Sequence, residues 1–204
     1  MRVWVLLVVL TALVALACDW RDRGRRHVAL VPVLALVFGV GGVQEWQWQA
    51  ADRHYTAVAE QILVHPHAVV VSCQRWGATL LDISQLEGYV PYPGDGSLPT
   101  HALLMNDVCK DLRAWLAEKD KSHPTTRQIQ SLHVFVHETM HLDGIYNEGL
   151  AECGAMANTE KAAELFGAPR GTGQRMALAY YETVFPQMPD DYRGPCPRPS
   201  LDGF

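Results

Sequence analysis

The chain has 204 residues, with 17 Lys and Arg against 22 Asp and Glu and a formal net charge of −5, enough for one ordinary domain plus an extra segment. From residue 45 onward the balance is 12 basic to 20 acidic residues, a net charge near −8. That argues against nucleic acid or an anionic membrane surface as the partner of this part.

The extra segment is N-terminal. "VWVLLVVLTALVALAC" (Val3 to Cys18) and "VALVPVLALVFGVGGV" (Val28 to Val43) are apolar runs, each just short of the roughly 20 residues of a membrane helix. Trp20, Trp46 and Trp48 can extend them into the interfacial layer. A cleaved signal peptide accounts for the first run but not the second, and a lipoprotein signal ending at Cys18 fits "ALAC" poorly. A membrane hairpin over residues 1–44, with helices at about 3–20 and 28–44, accounts for both. Its loop carries Arg21, Arg23, Arg25 and Arg26 against Asp19 and Asp22, and short Arg-rich loops stay cytoplasmic. Residues 45–204 are therefore expected outside the cytoplasm, at the cell membrane, with the lipid bilayer as one partner.

In that exported part, Gln44 to Val64 has the periodicity of a helix, ended by "HPH" at 65–67. Short strand candidates follow at 68–73, 78–83, 88–90 and 101–105, separated by "QRWG" and "PYPGDGSLP". Asn106 can cap a helix to about Glu118, and Thr125 or Thr126 a second one carrying Ile129, Leu132, His133, Val136 and Met140 inward. Further helices are expected from near Asn147 and over about 173–185, before a Pro-rich tail. The class is α+β: a small antiparallel or mixed sheet, then helices, behind a two-helix membrane anchor.

The chemistry is concentrated in "HETMHLDGIYNEGLAEC", His137 to Cys153. His137 and His141 are four apart, so on a helix both rings project from one face and can bind one Zn²⁺ at about 2.0–2.1 Å. Glu138 lies beside the metal, where it can take a proton from the attacking water. Chance produces this spacing in roughly two chains per hundred of this composition, so its setting matters. It closes an amphipathic helix, and carboxylates follow at short range. A catalytic zinc wants three protein ligands and an open position. Gly144 permits a sharp turn, and in the resulting helical hairpin Glu148 comes opposite His141 and Glu152 opposite His137. Glu148 is the expected third ligand and Glu152 the group that holds the ring N–H of His137; the reverse assignment stays open.

"HETMH" with "NEGLAE" resembles the gluzincin branch of zinc metallopeptidases, whose second motif sets a liganding Glu four residues before an acidic residue that orients a histidine. The resemblance implies His137, His141 and Glu148 as ligands, Glu138 as the base and Glu152 in the orienting place. Two features depart from it: the spacing from His141 to Glu148 is much shorter than in the large gluzincins, and Glu152 stands in place of Asp. "HETMHLDGIYN" is also similar to the metzincin pattern as far as its glycine, but Asn147 stands at the third ligand position, and Asn binds zinc poorly. Pairing of "HETMHLDG" with "EGLAEC" and a Cys-containing tail further resembles small exported or membrane-anchored actinobacterial proteins. The likeness is close over about 137–153 and loose over 68–200.

Other residues read more plainly. His133 is expected as a helix-face histidine, "HPH" as a loop, and Trp76 and Trp115 as core. Tyr146 and Tyr192 are candidates to donate to an oxyanion, although packing or turn structure is the plainer reading of each. Cys73, Cys109, Cys153 and Cys196 form an even set in the exported part, allowing three connectivities. Cys73–Cys109 and Cys153–Cys196 are favoured, because the tail around Cys196 has too little apolar content to dock unaided. Two functions are carried forward: a membrane-anchored zinc metallopeptidase acting on a peptide or protein substrate, and a non-enzymatic membrane protein whose metal-binding exported domain binds a partner.

Overall fold

A computed structural model describes residues 30–75 and 87–201. The chain divides into two units, residues 1–49 and 50–204. The first apolar run and the Arg-rich loop lie outside the described residues, as do Trp76 and the strand expected at 78–83. Helix α1, Leu30–Ile62, joins into one element the second apolar run and the helix expected from Gln44. Among the described residues no helix is long and apolar enough to cross a membrane.

The second unit is α+β. Strands β1 (Val70–Cys73), β2 (Gly88–Tyr89) and β3 (His101–Leu104) form a mixed sheet in the order β1-β3-β2. β1 runs parallel to β3 with Val70 beside His101, and β2 antiparallel with Gly88 beside Leu104. The period of two sends Val71, Cys73, Ala102 and Leu104 inward. Helices α2 (Asn106–Ala117), α3 (Thr126–Leu142), α4 (Glu148–Leu165) and α5 (Thr172–Thr183) follow, then a short 3₁₀ turn at Phe185–Gln187.

Local chemistry explains the helix starts. Thr125 and Gln128 form a reciprocal capping box at the head of α3. Asn147 Oδ1 accepts the Leu150 N–H at the head of α4. The cap expected at Asn106 is not made: Met105 occupies the cap position, and the Asn106 amide donates to the Gln74 carbonyl at 2.9 Å. A buried carbonyl beyond β1 competes for that donor.

Helix α3 is held from behind by fully buried Leu132, Phe135 and Val136, each worth about 1.5–3 kcal/mol of transfer free energy. Phe135 packs on Tyr55 and Phe166, ring centroids 5.9 and 5.2 Å away, and Trp115 is fully buried against Phe166. The opposite face of α3 is thereby turned toward α4 and α5. At its end Gly144 has φ +89°, a left-handed turn that suits glycine, and sends α4 back antiparallel. The cysteines pair as Cys73–Cys109 and Cys153–Cys196, with Cα separations of 6.0 and 4.9 Å. The second bridge lays the tail on α4, where Gly149 and Gly194 meet so closely that a Cβ on Gly194 would lie 2.6 Å from the Gly149 carbonyl oxygen.

Candidate metal centre

His133, His137 and His141 occupy successive turns of α3, and Glu148 and Glu152 successive turns of α4. Because the helices run antiparallel, the two sets interdigitate. Glu152 Oε2 lies 2.9 Å from His133 Nε2 and 2.9 Å from His137 Nδ1. Glu148 Oε2 lies 3.0 Å from His137 Nε2 and 3.2 Å from His141 Nε2. Each carboxylate therefore bridges two rings.

Ring tautomers follow from these partners. His141 Nδ1 is 2.7 Å from the Ile145 carbonyl, which can only accept, so Nδ1 carries the hydrogen. His137 Nδ1 likewise donates to the Glu152 carboxylate. In the neutral rings both Nε2 atoms are then bare lone pairs. They lie 2.9 Å apart with the Glu148 oxygen beside them. Three acceptors converging in this way repel one another unless a cation or a proton sits between them.

That donor set could hold a metal ion. His133, His137 and Glu152 could form a second such group, but there each ring N–H already has the carboxylate as its acceptor. Without a metal a proton takes the place. Burial would lower His137, but hydrogen bonds to Glu148 and Glu152 outweigh it and raise the ring to about 9. Burial and the His137 charge lower His141, and hydrogen bonding to His137 lowers Glu148.

Glu152, only 1% exposed, would be raised by burial. Hydrogen bonds from His133, His137 and Tyr180 instead hold it well below the usual carboxylate range. Glu138 is buried and its Oε2 has no hydrogen-bond partner. Burial pushes its carboxyl up to about 7, against the opposing charge of His137 and with Glu148 adding to the rise. A Cβ on Gly88 would fall 2.7 Å from Glu138 Oε1, so the missing side chain of β2 makes room for this carboxylate. A pocket of about 310 Å³ opens beside His137 and Glu138, walled by Val134, Val184, Met188 and Tyr192.

The two tyrosines singled out in the sequence differ in placement. Tyr192, on the tail, stacks on His137 with ring centroids 5.8 Å apart. Tyr146 is 51% exposed and packs on Tyr92, 4.7 Å away. Three residues near the centre escape sequence reasoning: Gly88, Tyr92, whose hydroxyl is 2.7 Å from His141 Nδ1, and Tyr180, which donates to Glu152 Oε1 at 2.6 Å. Nothing local marks them; "PYPGDGSLP" reads only as a turn. His133, carried inward as the helix periodicity expects, is buried, and its ring is bonded to Glu152. Compared with known proteins, the chain matches no family model, no curated protein and no solved structure, so the likeness to gluzincins rests on the site residues alone.

Proposed function

We propose that this protein is a zinc metallopeptidase that hydrolyses peptide bonds outside the cytoplasm, anchored by its N-terminal apolar runs. The observation that carries the reading is the convergence of His137 Nε2, His141 Nε2 and Glu148 Oε2, separated by 2.9–3.2 Å, with Glu138 next to them on a pocket wall. Two imidazoles and one carboxylate suit zinc with a position left open for reaction. When bound, the metal would supply Lewis-acid activation of water and of the scissile carbonyl. Glu138, beside the donor set on the pocket wall, accepts the proton of the attacking water and returns it to the leaving amine. Tyr192, whose hydroxyl burial pushes up to about 12, stays protonated and can donate to the developing oxyanion. Glu152 fixes the His137 tautomer and leaves its Nε2 free for the metal.

The test is metal content and peptide-library cleavage by the full-length protein, with Glu138→Gln alongside. The variant is expected to keep the metal and lose hydrolysis, because an amide cannot take the proton. Unchanged turnover in Glu138→Gln refutes the mechanism. Metal binding without cleavage in the unaltered protein favours instead a metal-binding domain that recognises a partner.

A further inference from the structure

His133 is a costly residue for its position. It is 3% exposed, and its Nδ1 has no hydrogen-bond partner, an arrangement that burial penalises. Its ring lies flat on Tyr180, centroids 3.5 Å apart at 10°, a packing role that a phenyl ring would fill without loss. The one polar bond His133 makes is the Nε2–H donation to Glu152 Oε2. The same oxygen accepts from His137 Nδ1, while Tyr180 donates to the other oxygen.

We propose that His133 and Tyr180 are positioning residues of the metal centre, pinning both Glu152 oxygens so that Glu152 holds His137 with its Nε2 lone pair toward the ion. The proposal rests on the metal-centre reading above and adds two residues to it. With both oxygens engaged, the carboxylate cannot turn about its terminal bond without breaking hydrogen bonds from α3 or α5. Removing the His133 donor frees Oε2 on one side, and Glu152 can then swing away from His137. Tyr180 acts from the other end and ties the centre to α5. His133 is thus the first rung of a ladder that runs His133, Glu152, His137, Glu148, His141.

The experiment compares His133→Phe, His133→Gln and Tyr180→Phe in the full-length protein. Zinc affinity is read by chelator competition, thermal stability without metal, and the His137 tautomer from ring ¹⁵N shifts of metal-free protein in alkaline buffer, where the ring is neutral. His133→Phe keeps the stacked ring and removes the donor. It should weaken zinc binding by about 3- to 10-fold, less than loss of a direct partner of a metal ligand costs, without lowering metal-free stability, and let the Nε2–H tautomer of His137 appear. His133→Gln restores an N–H near the position of Nε2 and should recover most of the affinity. Tyr180→Phe should weaken binding in the same direction with its ring packing kept. A purely structural role would lower the stability of His133→Phe and leave both affinity and tautomer unchanged, overturning the proposal; so would a His133→Gln loss as large as that of His133→Phe. If the unaltered protein binds no zinc, the metal reading fails, and the tautomer still decides whether His133 orients His137.

Discussion

Replacing Gly88 with Ala tests the placement of Glu138 without touching a proposed metal ligand. Gly88 is not among the glycines with positive φ, so alanine is tolerated by the backbone and the effect is purely steric. The new Cβ would lie 2.7, 2.8 and 2.9 Å from Glu138 Oε1, Cγ and Cδ, where ordinary contact begins at 3.4 Å, a deficit of about 0.5–0.7 Å. Either β2 retreats from β3 or the carboxylate moves. A displacement of about 1 Å in catalytic geometry can cost a factor of about 100, so a 10- to 100-fold loss of kcat/KM is expected, or about 1.4–2.7 kcal/mol of transition-state stabilisation. Zinc affinity should stay within about threefold, because the nearest atoms to the new Cβ all belong to Glu138 and none to a metal-binding side chain or to Glu152, which orients His137. Gly94→Ala is the control, since its Cβ would meet nothing within 4 Å. Both variants would be assayed on the best peptide from the library, with chelator competition in parallel. Hydrolysis by Gly88→Ala at the unaltered rate would refute a positioned Glu138, as would loss of the metal together with the rate.

Zinc at about 100 times its dissociation constant should stabilise the fold by about 2.7 kcal/mol, a rise of about 5–11 °C in Tm for a domain of this size. His137→Ala, His141→Ala and Glu148→Ala should abolish that rise in a thermal scan, and Glu138→Gln should keep it. A rise that survives Glu148→Ala and disappears in Glu152→Ala would transfer the ligand role to Glu152. Replacing Cys153 and Cys196 together by Ser opens a loop spanning 43 residues and should cost about 4 kcal/mol by the chain-entropy relation, read by denaturant unfolding; an unchanged midpoint would remove the tail from the account of stability. His67 places Nδ1 2.7 Å from the His65 carbonyl and Nε2 2.9 Å from the Pro99 carbonyl. These two bonds, opposed by burial and aided by the Asp143 charge, raise it above 6.5. Its contribution to stability is complete below pH 6.5 and fades as pH rises through the higher folded value; an NMR titration giving His67 a pKa at or below 6.5 would contradict the doubly donating ring.

What could be read from the sequence was local. The helix starts at Thr125 or Thr126 and near Asn147, and the four-residue spacing of His137 and His141, are each set within one or two turns, where helix geometry alone decides which groups meet. The strand candidates at 68–73 and 101–105, short apolar runs bounded by turn-rich stretches, cover the strands Val70–Cys73 and His101–Leu104. Asn106 was misleading because a cap residue and a donor to a distant carbonyl look alike until the fold brings Gln74 beside it. The periodicity turned His133 inward but gave no sign of what it bonds. Its partner Glu152 is 19 positions away, Tyr180 is 28 positions from Glu152, and Tyr92 is 49 from His141. Such contacts depend on the packing register of helices and loops, which no periodicity encodes.

That register is what the centre depends on most. An α-helix turns about 100° per residue, so a slip of one residue in α4 would carry Glu148 and Glu152 off the histidine face together. Several features far from the metal ligands fix it. Gly144 turns the chain at φ +89°, and Asp143 Oδ1 ties the end of α3 to the N–H groups of Val64 and His65. Gly154 lets α4 approach α3 until a Cβ there would lie 2.9 Å from the Met140 sulfur, and fully buried Ala151 and Ala155 flank that contact. On the far side, the Cys153–Cys196 bridge and the Gly149–Gly194 contact press the tail onto α4. The smallness of "GLAECGA" therefore has a reason in the chemistry: carboxylates one turn apart reach imidazoles one turn apart at hydrogen-bonding distance only when the two helices pack with nothing larger between them.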